Sequence, residues 1–166
     1  MPNLIKLQQV SPSDGMEGYE LLQRIGAKES DFTNPMHGRS YEEYKAWLVQ
    51  QDDWAQEKNL PQGYTGQTVF WLKCEDRIVG LGKIRHALTE QSRKEGGNIG
   101  IAIDPSERGR GLGTKFIPLL LQQADLMHVG EIWITVKKFN YPSKAAFEKN
   151  GCRVVKETET WWYLTK

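Results

Sequence analysis

The stretch Ile101-Ala-Ile-Asp-Pro-Ser-Glu-Arg108-Gly-Arg-Gly-Leu-Gly113 decides the fold. Its apolar start suits the end of a strand, and Asp104-Pro105 breaks that strand. Thr114 then opens a segment with helical apolar spacing, predicted to run to about His128. Between strand and helix, three alternating glycines let backbone N–H groups turn toward one point. That point also faces the positive end of the helix dipole, which makes an anion site. Arg108 and Arg110 add formal positive charge beside it. A plain strand–helix turn needs neither two arginines nor three glycines. Two other phosphate-binding signatures fit less well. A phosphate loop of an NTPase ends in G-K-[ST], whereas Gly113 is followed by Thr-Lys. A dinucleotide fingerprint opens a βαβ unit and has an acid about 20 residues on; this turn follows predicted antiparallel strands, two-thirds along the chain.

Working upstream, Asn98–Ile103 reads as a strand, preceded by a polar loop from Thr89 to Gly97. Val69–Cys74 and Arg77–Ile84 read as two strands joined by a tight hairpin at Glu75-Asp76. Ser40 and Glu43 have capping-box spacing, and a helix is predicted from there to about Lys58. Its Tyr44, Trp47, Leu48, Gln51 and Trp54 share one side, with Glu42, Lys45 and Asp52 opposite. Phe32–Arg39 reads as loop, Tyr19–Ile25 as a short helix stopped by Gly26, and the first dozen residues as a short strand. Downstream, Ile132–Val136 suits a strand covered on both faces. A helix over Ser143–Asn150, stopped at Gly151, and strands Arg153–Lys156 and Trp161–Leu164 close the chain. The order implies an α/β fold: a single domain over residues 1–166, with a mixed sheet and helices on both faces. The crossover from Ile103 to Ile132 is expected to form a right-handed parallel pair. Pro118 interrupts its helix, removes an N–H that would bond Thr114, and predicts a kink.

Composition narrows the function. Of 166 residues, 39% are hydrophobic and 26% charged, ordinary for a globular domain with its own core. A net charge of +1, without a Lys/Arg-rich run, gives no footprint for nucleic acid. No apolar stretch approaches the ~20 residues of a membrane span, and the start lacks signal-peptide character. Cys74 and Cys152 have no partner at metal-ligand spacing, so no metal is expected. Free thiols suit a reducing compartment, and the expected location is cytoplasmic.

A second motif follows the glycine turn: Asn140-Tyr-Pro-Ser143-Lys-Ala-Ala-Phe147-Glu-Lys-Asn-Gly151. With R-G-x-G-x-G after I-x-I-D-P, it resembles the paired motifs of the GNAT superfamily of acetyl-CoA-dependent N-acetyltransferases, in their order and at about their separation. The resemblance runs from about Thr68 to the C-terminus. GGNIGIAIDPSERGRG and FEKNG look like a bacterial branch of predicted acetyltransferases. It implies a splayed central sheet and acetyl-CoA as acyl donor. Backbone groups at Ile101 and Ile103 would pair with the pantetheine arm. Arg108, Gly109, Arg110, Gly111, Leu112, Gly113 and Thr114 would hold the pyrophosphate, with Ser143 on the pantetheine wall. Asn140 suits a helix N-cap and a pantetheine contact alike.

The departures from the family pattern bear on chemistry. Its usual tyrosine, proposed to protonate the leaving thiolate, corresponds to Phe147, and its glutamate before the turn to Asn98. His86, at a strand end, is the candidate base, directly or through water, against a surface or hydrogen-bonded role. His37 and His128 have weaker claims. Trp161, Trp162 and Tyr163 are expected to divide between the core and an acceptor side. The leading expectation is direct transfer from acetyl-CoA to a primary amine, of a small molecule or a peptide, by a monomer or homodimer. A non-catalytic acyl-CoA-binding or sensor module is the alternative.

Overall fold

The computed structural model describes residues 4–29 and 31–166. In chain order the elements are β1 (Ile5–Gln9), α1 (Met16–Arg24), β2 (Lys28–Glu29), β3 (Phe32–Thr33), α2 (Tyr41–Ala55), β4 (Gln67–Cys74) and β5 (Arg77–Arg85). After them come α3 (Glu90–Lys94), β6 (Ile99–Ile103), a 3-10 turn (Pro105–Glu107), α4 (Leu112–Leu126), β7 (Trp133–Lys137), α5 (Tyr141–Lys149), β8 (Arg153–Glu157) and β9 (Trp161–Thr165). One antiparallel sheet has the order β1-β4-β5-β6, and a second has the order β7-β9-β8. No helix of the described residues is long and apolar enough to cross a membrane.

Local chemistry accounts for most boundaries. Ser40 and Glu43 close a capping box on α2. The Glu75-Asp76 turn has φ of 51° and 65°, the left-handed pair that matches the twist of a two-residue hairpin. Helix α2 ends at Ala55 rather than Lys58, because Glu57 and Asn59 take positive φ. The expected loop at Thr89–Gly97 contains α3, capped reciprocally by Thr89 and Ser92. Serine stands there where the usual signature has Glu or Gln. Likewise Phe32–Arg39 is not all loop, since Phe32 and Thr33 pair with Glu29 and Lys28.

Helices α1 and α2 cover one face of the larger sheet through Leu21, Leu22, Tyr44, Trp47 and Leu48 against Val69, Trp71 and Leu81. On the other face, α4 and α5 bury Phe116, Ile117, Leu120, Ala146 and Phe147. This second core runs across both sheets, from Phe70 and Ile84 to Val136, Trp162 and Leu164. Trp162 thus faces the core, while Trp161 and Tyr163 alternate to the opposite face.

The parallel pair expected between β6 and β7 is replaced by a split. Asn98 N–H donates to Trp133 O at 2.7 Å, and Trp133 N–H donates back to Asn98 Oδ1 at 2.8 Å. Asn98 Nδ2 donates to Arg85 O at 3.1 Å. Beyond this clamp no ladder joins the two strands.

Helix α4 runs through Pro118 as a single helix. The Thr114 carbonyl, which loses its N–H donor to the proline ring, accepts instead from Asn150 Nδ2 at 3.0 Å.

Candidate active site

The split between β6 and β7 opens a cleft of about 500 Å³. Its floor is the free edge of β6. Asp104 N–H donates to Val79 O on β5, whereas Ile103 O accepts from Arg108 Nε at 3.2 Å. Strand alternation therefore turns the backbone groups of Ile101 and Ile103 away from β5 and toward the gap. Across the gap, the β7 edge offers Trp133 to Asn98 and the Lys137 N–H to Asp31 Oδ1 at 3.1 Å. A carboxylate has taken the place of a missing strand.

One end of the cleft is the glycine turn. Gly109 and Gly111 have φ of 80° and 73°, and a Cβ built on either would meet nothing within 4 Å. The left-handed backbone, rather than crowding, calls for glycine there. Gly111 is also the N-cap of α4 and supplies no side-chain cap, so the first-turn N–H groups have no side-chain partner from the cap position. A fifteen-residue helix directs its positive end at this point. Such a cradle fits a pyrophosphate, and a slot with one free strand edge fits an extended amide-bearing arm.

Among the residues singled out from the sequence, Ile101, Ile103, Arg108, Gly109, Gly111, Leu112, Gly113, Thr114, Asn140 and Ser143 all line this cleft. Arg110 does not; its guanidinium bonds Glu107 Oε2 at 2.9 Å. Arg108 also pairs with Glu29 Oε2 at 3.2 Å. Asn140 caps α5 by accepting from Ser143 N–H at 3.4 Å, and its Nδ2 donates to Asp31 Oδ2 at 2.9 Å. Phe147 forms part of the wall and of the core beneath it.

His86 is not brought to the cleft. Its Nε2 lies 2.8 Å from Thr68 Oγ1, and its Nδ1 lies 3.1 Å from Glu57 Oε1. Both ring nitrogens are engaged on the far side of β5. Asn98, which stands where the family pattern has a glutamate, spends its amide on the clamp.

Glu29, Asp31 and Thr135 also line the cleft and escaped the sequence reading. Glu29 is held below the usual carboxylate range by the Gly26 N–H, against burial, with Arg108 assisting. Asp31 behaves in the opposite way. Burial raises its carboxyl above the ordinary value, only partly offset by the bonds from Asn140 and Lys137. A half-buried carboxylate of raised basicity beside a reaction cleft is chemically a proton acceptor. Among the described residues, no group of three or more His, Cys, Asp or Glu side chains is placed to hold a metal ion.

Comparison with known proteins agrees with this geometry. A family model described as an acetyltransferase (GNAT) domain matches residues 5–153. No curated relative matches in sequence. Among solved structures, the N-acetyltransferase PseH of Campylobacter jejuni, in complex with acetyl coenzyme A, superposes with a TM-score of 0.65 at 15% identity, covering 98% of each chain. The acetyltransferase of Salmonella typhimurium that modifies the N-terminal serine of ribosomal protein L7/L12 gives 0.66 at 15% identity, covering 97% of this chain and 92% of that one. The microcin C7 self-immunity acetyltransferase MccE, in complex with acetyl-CoA and AMP, gives 0.69 at 17% identity, covering 98% and 91%. With nine-tenths of its length matched by the family model and a split sheet ending on a glycine-rich helix start, the chain belongs to the GNAT family and is an acetyl-CoA-dependent N-acetyltransferase.

Proposed function

We propose that the acetyl group passes directly to a primary amine while donor and acceptor share the cleft, with Asp31 as the group that takes the amine proton. The observation carrying this reading is the Asp31 carboxylate, raised by burial and set at the open edge of β7. The turn from Arg108 to Thr114 would bind the donor's pyrophosphate, and the β6 edge at Ile101 and Ile103, with Asn140 and Ser143, its pantetheine arm. Acetyl-CoA supplies the activated thioester. The protein supplies alignment, N–H groups of β6 to polarise the thioester carbonyl, and a place for the proton. The N-terminal third belongs to the same working unit, because β2, β3 and the turn between them contribute Glu29, Asp31 and Phe32.

The proton balance is as follows. An alkylammonium, with a pKa near ~10, gives one proton to the Asp31 carboxylate, and the neutral amine forms the N–C bond as the C–S bond breaks. As the amide forms, its nitrogen sheds its second proton to solvent, and Asp31 returns its proton to solvent as well. The departing thiolate, with a reference pKa near ~8.5, collects one from solvent, for a net release of one proton. Phe147 has none to give, and weak basicity of the leaving group makes a dedicated acid unnecessary. Raising the Asp31 carboxyl narrows the gap to the ammonium, which favours the first step. Cys74 and Cys152 are buried and do not line the cleft, which disfavours a covalent acyl-enzyme.

Initial rates at varied acetyl-CoA and amine should give intersecting double-reciprocal lines; parallel lines would overturn direct transfer. Asp31→Asn should lower kcat/KM on the order of 10²-fold, the usual contribution of a general base. Wild type should show a rising limb above the ordinary carboxylate range, and Asp31→Asn should lose it. An Asp31→Asn enzyme with wild-type rates, or a limb that disappears in His86→Gln instead, would remove Asp31 from the mechanism.

A further inference from the structure

Two cations of β5 stand behind the part of the cleft wall formed by Phe32, Gly96 and Gly100, without a counter-ion among the described residues. Lys83 and Arg85 are two residues apart on one strand, so both leave the face that carries Leu81 and packs toward Phe32. The Lys83 ammonium lies 5.0 Å from the centre of the Phe32 ring. Arg85 Nη1 donates to Gly97 O at 2.9 Å. Neither takes part in the ion pairs formed among the described residues. Both side chains are half-buried. Burial pushes the Lys83 ammonium down to about 8, with the Arg85 charge adding to the effect, and burial lowers Arg85 as well.

Both cations lie directly behind glycines of the cleft lining. Gly100 lines the cleft, and a Cβ there would come within 3.7 Å of Lys83 Cε. Gly96 lines it too, and a Cβ there would meet Arg85 Nη1 at 2.5 Å. At Gly96 the Arg85 guanidinium is the nearest group, and at Gly100 the Phe32 ring, at 3.4 Å, stands just nearer than Lys83. The acids of the cleft, in contrast, are all engaged: Glu29 by Arg108, Asp31 by Asn140 and Lys137 N–H, Glu107 by Arg77 and Arg110. The partners of Asp31 are neutral, so it is the one cleft acid without a counter-ion among the described residues, and the two β5 cations outnumber it. Withdrawing two cations from water without a partner is costly, and a ligand anion is the group that would offset it.

We infer that the acceptor carries an anionic group, carboxylate or phosphate, beside its amine, and that Lys83 and Arg85 bind it while the amine faces Asp31. This rests on the transfer reaction proposed above and adds the class of acceptor. The ammonium and the anion of such an acceptor would be read by opposite charges, which fixes its orientation before the amine is deprotonated.

The test uses matched amines with acetyl-CoA: alanine against alaninamide, and O-phosphoethanolamine against ethanolamine. The anionic member of at least one pair should have the higher kcat/KM by about tenfold, the effect of one charge-assisted contact. The pair showing the larger ratio distinguishes carboxylate from phosphate. Arg85→Gln and Lys83→Met should bring that ratio toward one while CoA affinity, by calorimetry, stays at the wild-type value. A second readout needs no turnover. In the CoA-saturated protein, labelling of Lys83 by limiting acetic anhydride, mapped by mass spectrometry, should be slowed by the anionic amines and not by their neutral partners. Equal turnover within both pairs, or no protection of Lys83 by either anionic amine, would overturn the inference. Absence of CoA binding and of thiol release with every amine would overturn the transfer reaction instead, and the same labelling without CoA would still decide the anion site.

Discussion

At position 111 the backbone and the proposed ligand make separate demands on one residue. The φ of 73° is costly for most side chains, yet aspartate is among the residues that tolerate it. A Gly111→Asp chain should therefore fold, because its Cβ meets nothing within 4 Å. Its carboxylate, however, would stand at the helix start where an anion is expected. CoA affinity should drop at least tenfold, about 1.4 kcal/mol, through repulsion and a blocked approach. Calorimetry on the folded variant checks this, and unchanged affinity would mean that the anion binds elsewhere. The strand, glycine turn and helix were legible because their pattern is local, whereas the turn of Arg110 toward Glu107, away from the cleft, was not. Asp31 was not legible. It lies in a short polar turn with no periodicity, and its partners Lys137 and Asn140 are more than 100 residues away. Its basicity is a product of burial, which a sequence does not display.

Elements were readable where a cap or turn is encoded by neighbours, as at Ser40–Glu43, Glu75-Asp76 and Gly151, and harder to read where distant groups decide. The Thr114 carbonyl that Pro118 deprives of its N–H is such a case, since the donor that replaces it comes from Asn150 at the end of α5. Replacing Asn150 by alanine should destabilise the protein by about 1–3 kcal/mol, the cost of leaving a polar group without its partner. In a Pro118→Ala background the restored N–H supplies the carbonyl from within α4, and the same change should cost less by about 1 kcal/mol. Urea midpoints of the four proteins give the coupling; strict additivity would mean that Asn150 acts through its bond to Ala146 O alone. The β6–β7 split was illegible for a related reason. Apolar strands flanking a helix predict a pair, and only the side chain of Asn98, bonded at once to β5 and β7, shows where the pair ends.

Over the whole molecule, one ion pair ties α1 to the strand that floors the cleft. Arg24 Nε bonds Asp104 Oδ2 at 2.8 Å, and the Asp104 carboxylate is buried. Burial would raise that carboxyl, but the bonds from Ser106 and from Arg24 outweigh it and hold the group below its ordinary value. Folding stability from Asp104 is therefore present above the unfolded-state pKa, near ~3.9, and is lost as pH falls through the lower folded value. Arg24→Gln should cost on the order of 2 kcal/mol at neutral pH, less than a fully buried pair because the arginine is half-exposed and Ser106 remains. Thermal melts between pH 7 and 3 should show the variant approaching wild type at the acid end. A constant difference across that range would show that the arginine acts through packing alone.

The Asn98 clamp also makes the molecule resemble a book, bound along one spine and open at the fore-edge. Its two leaves share the core beneath α4 and α5, but no strand ladder joins their facing edges. A ligand laid between them binds the folded chain and not the unfolded one, and so stabilises it by mass action. Thus the persistence of this chain, measured as resistance to a protease over hours, should track the supply of CoA thioesters around it. An enzyme so built reports the state of its donor pool through its own survival, quite apart from how fast it turns over.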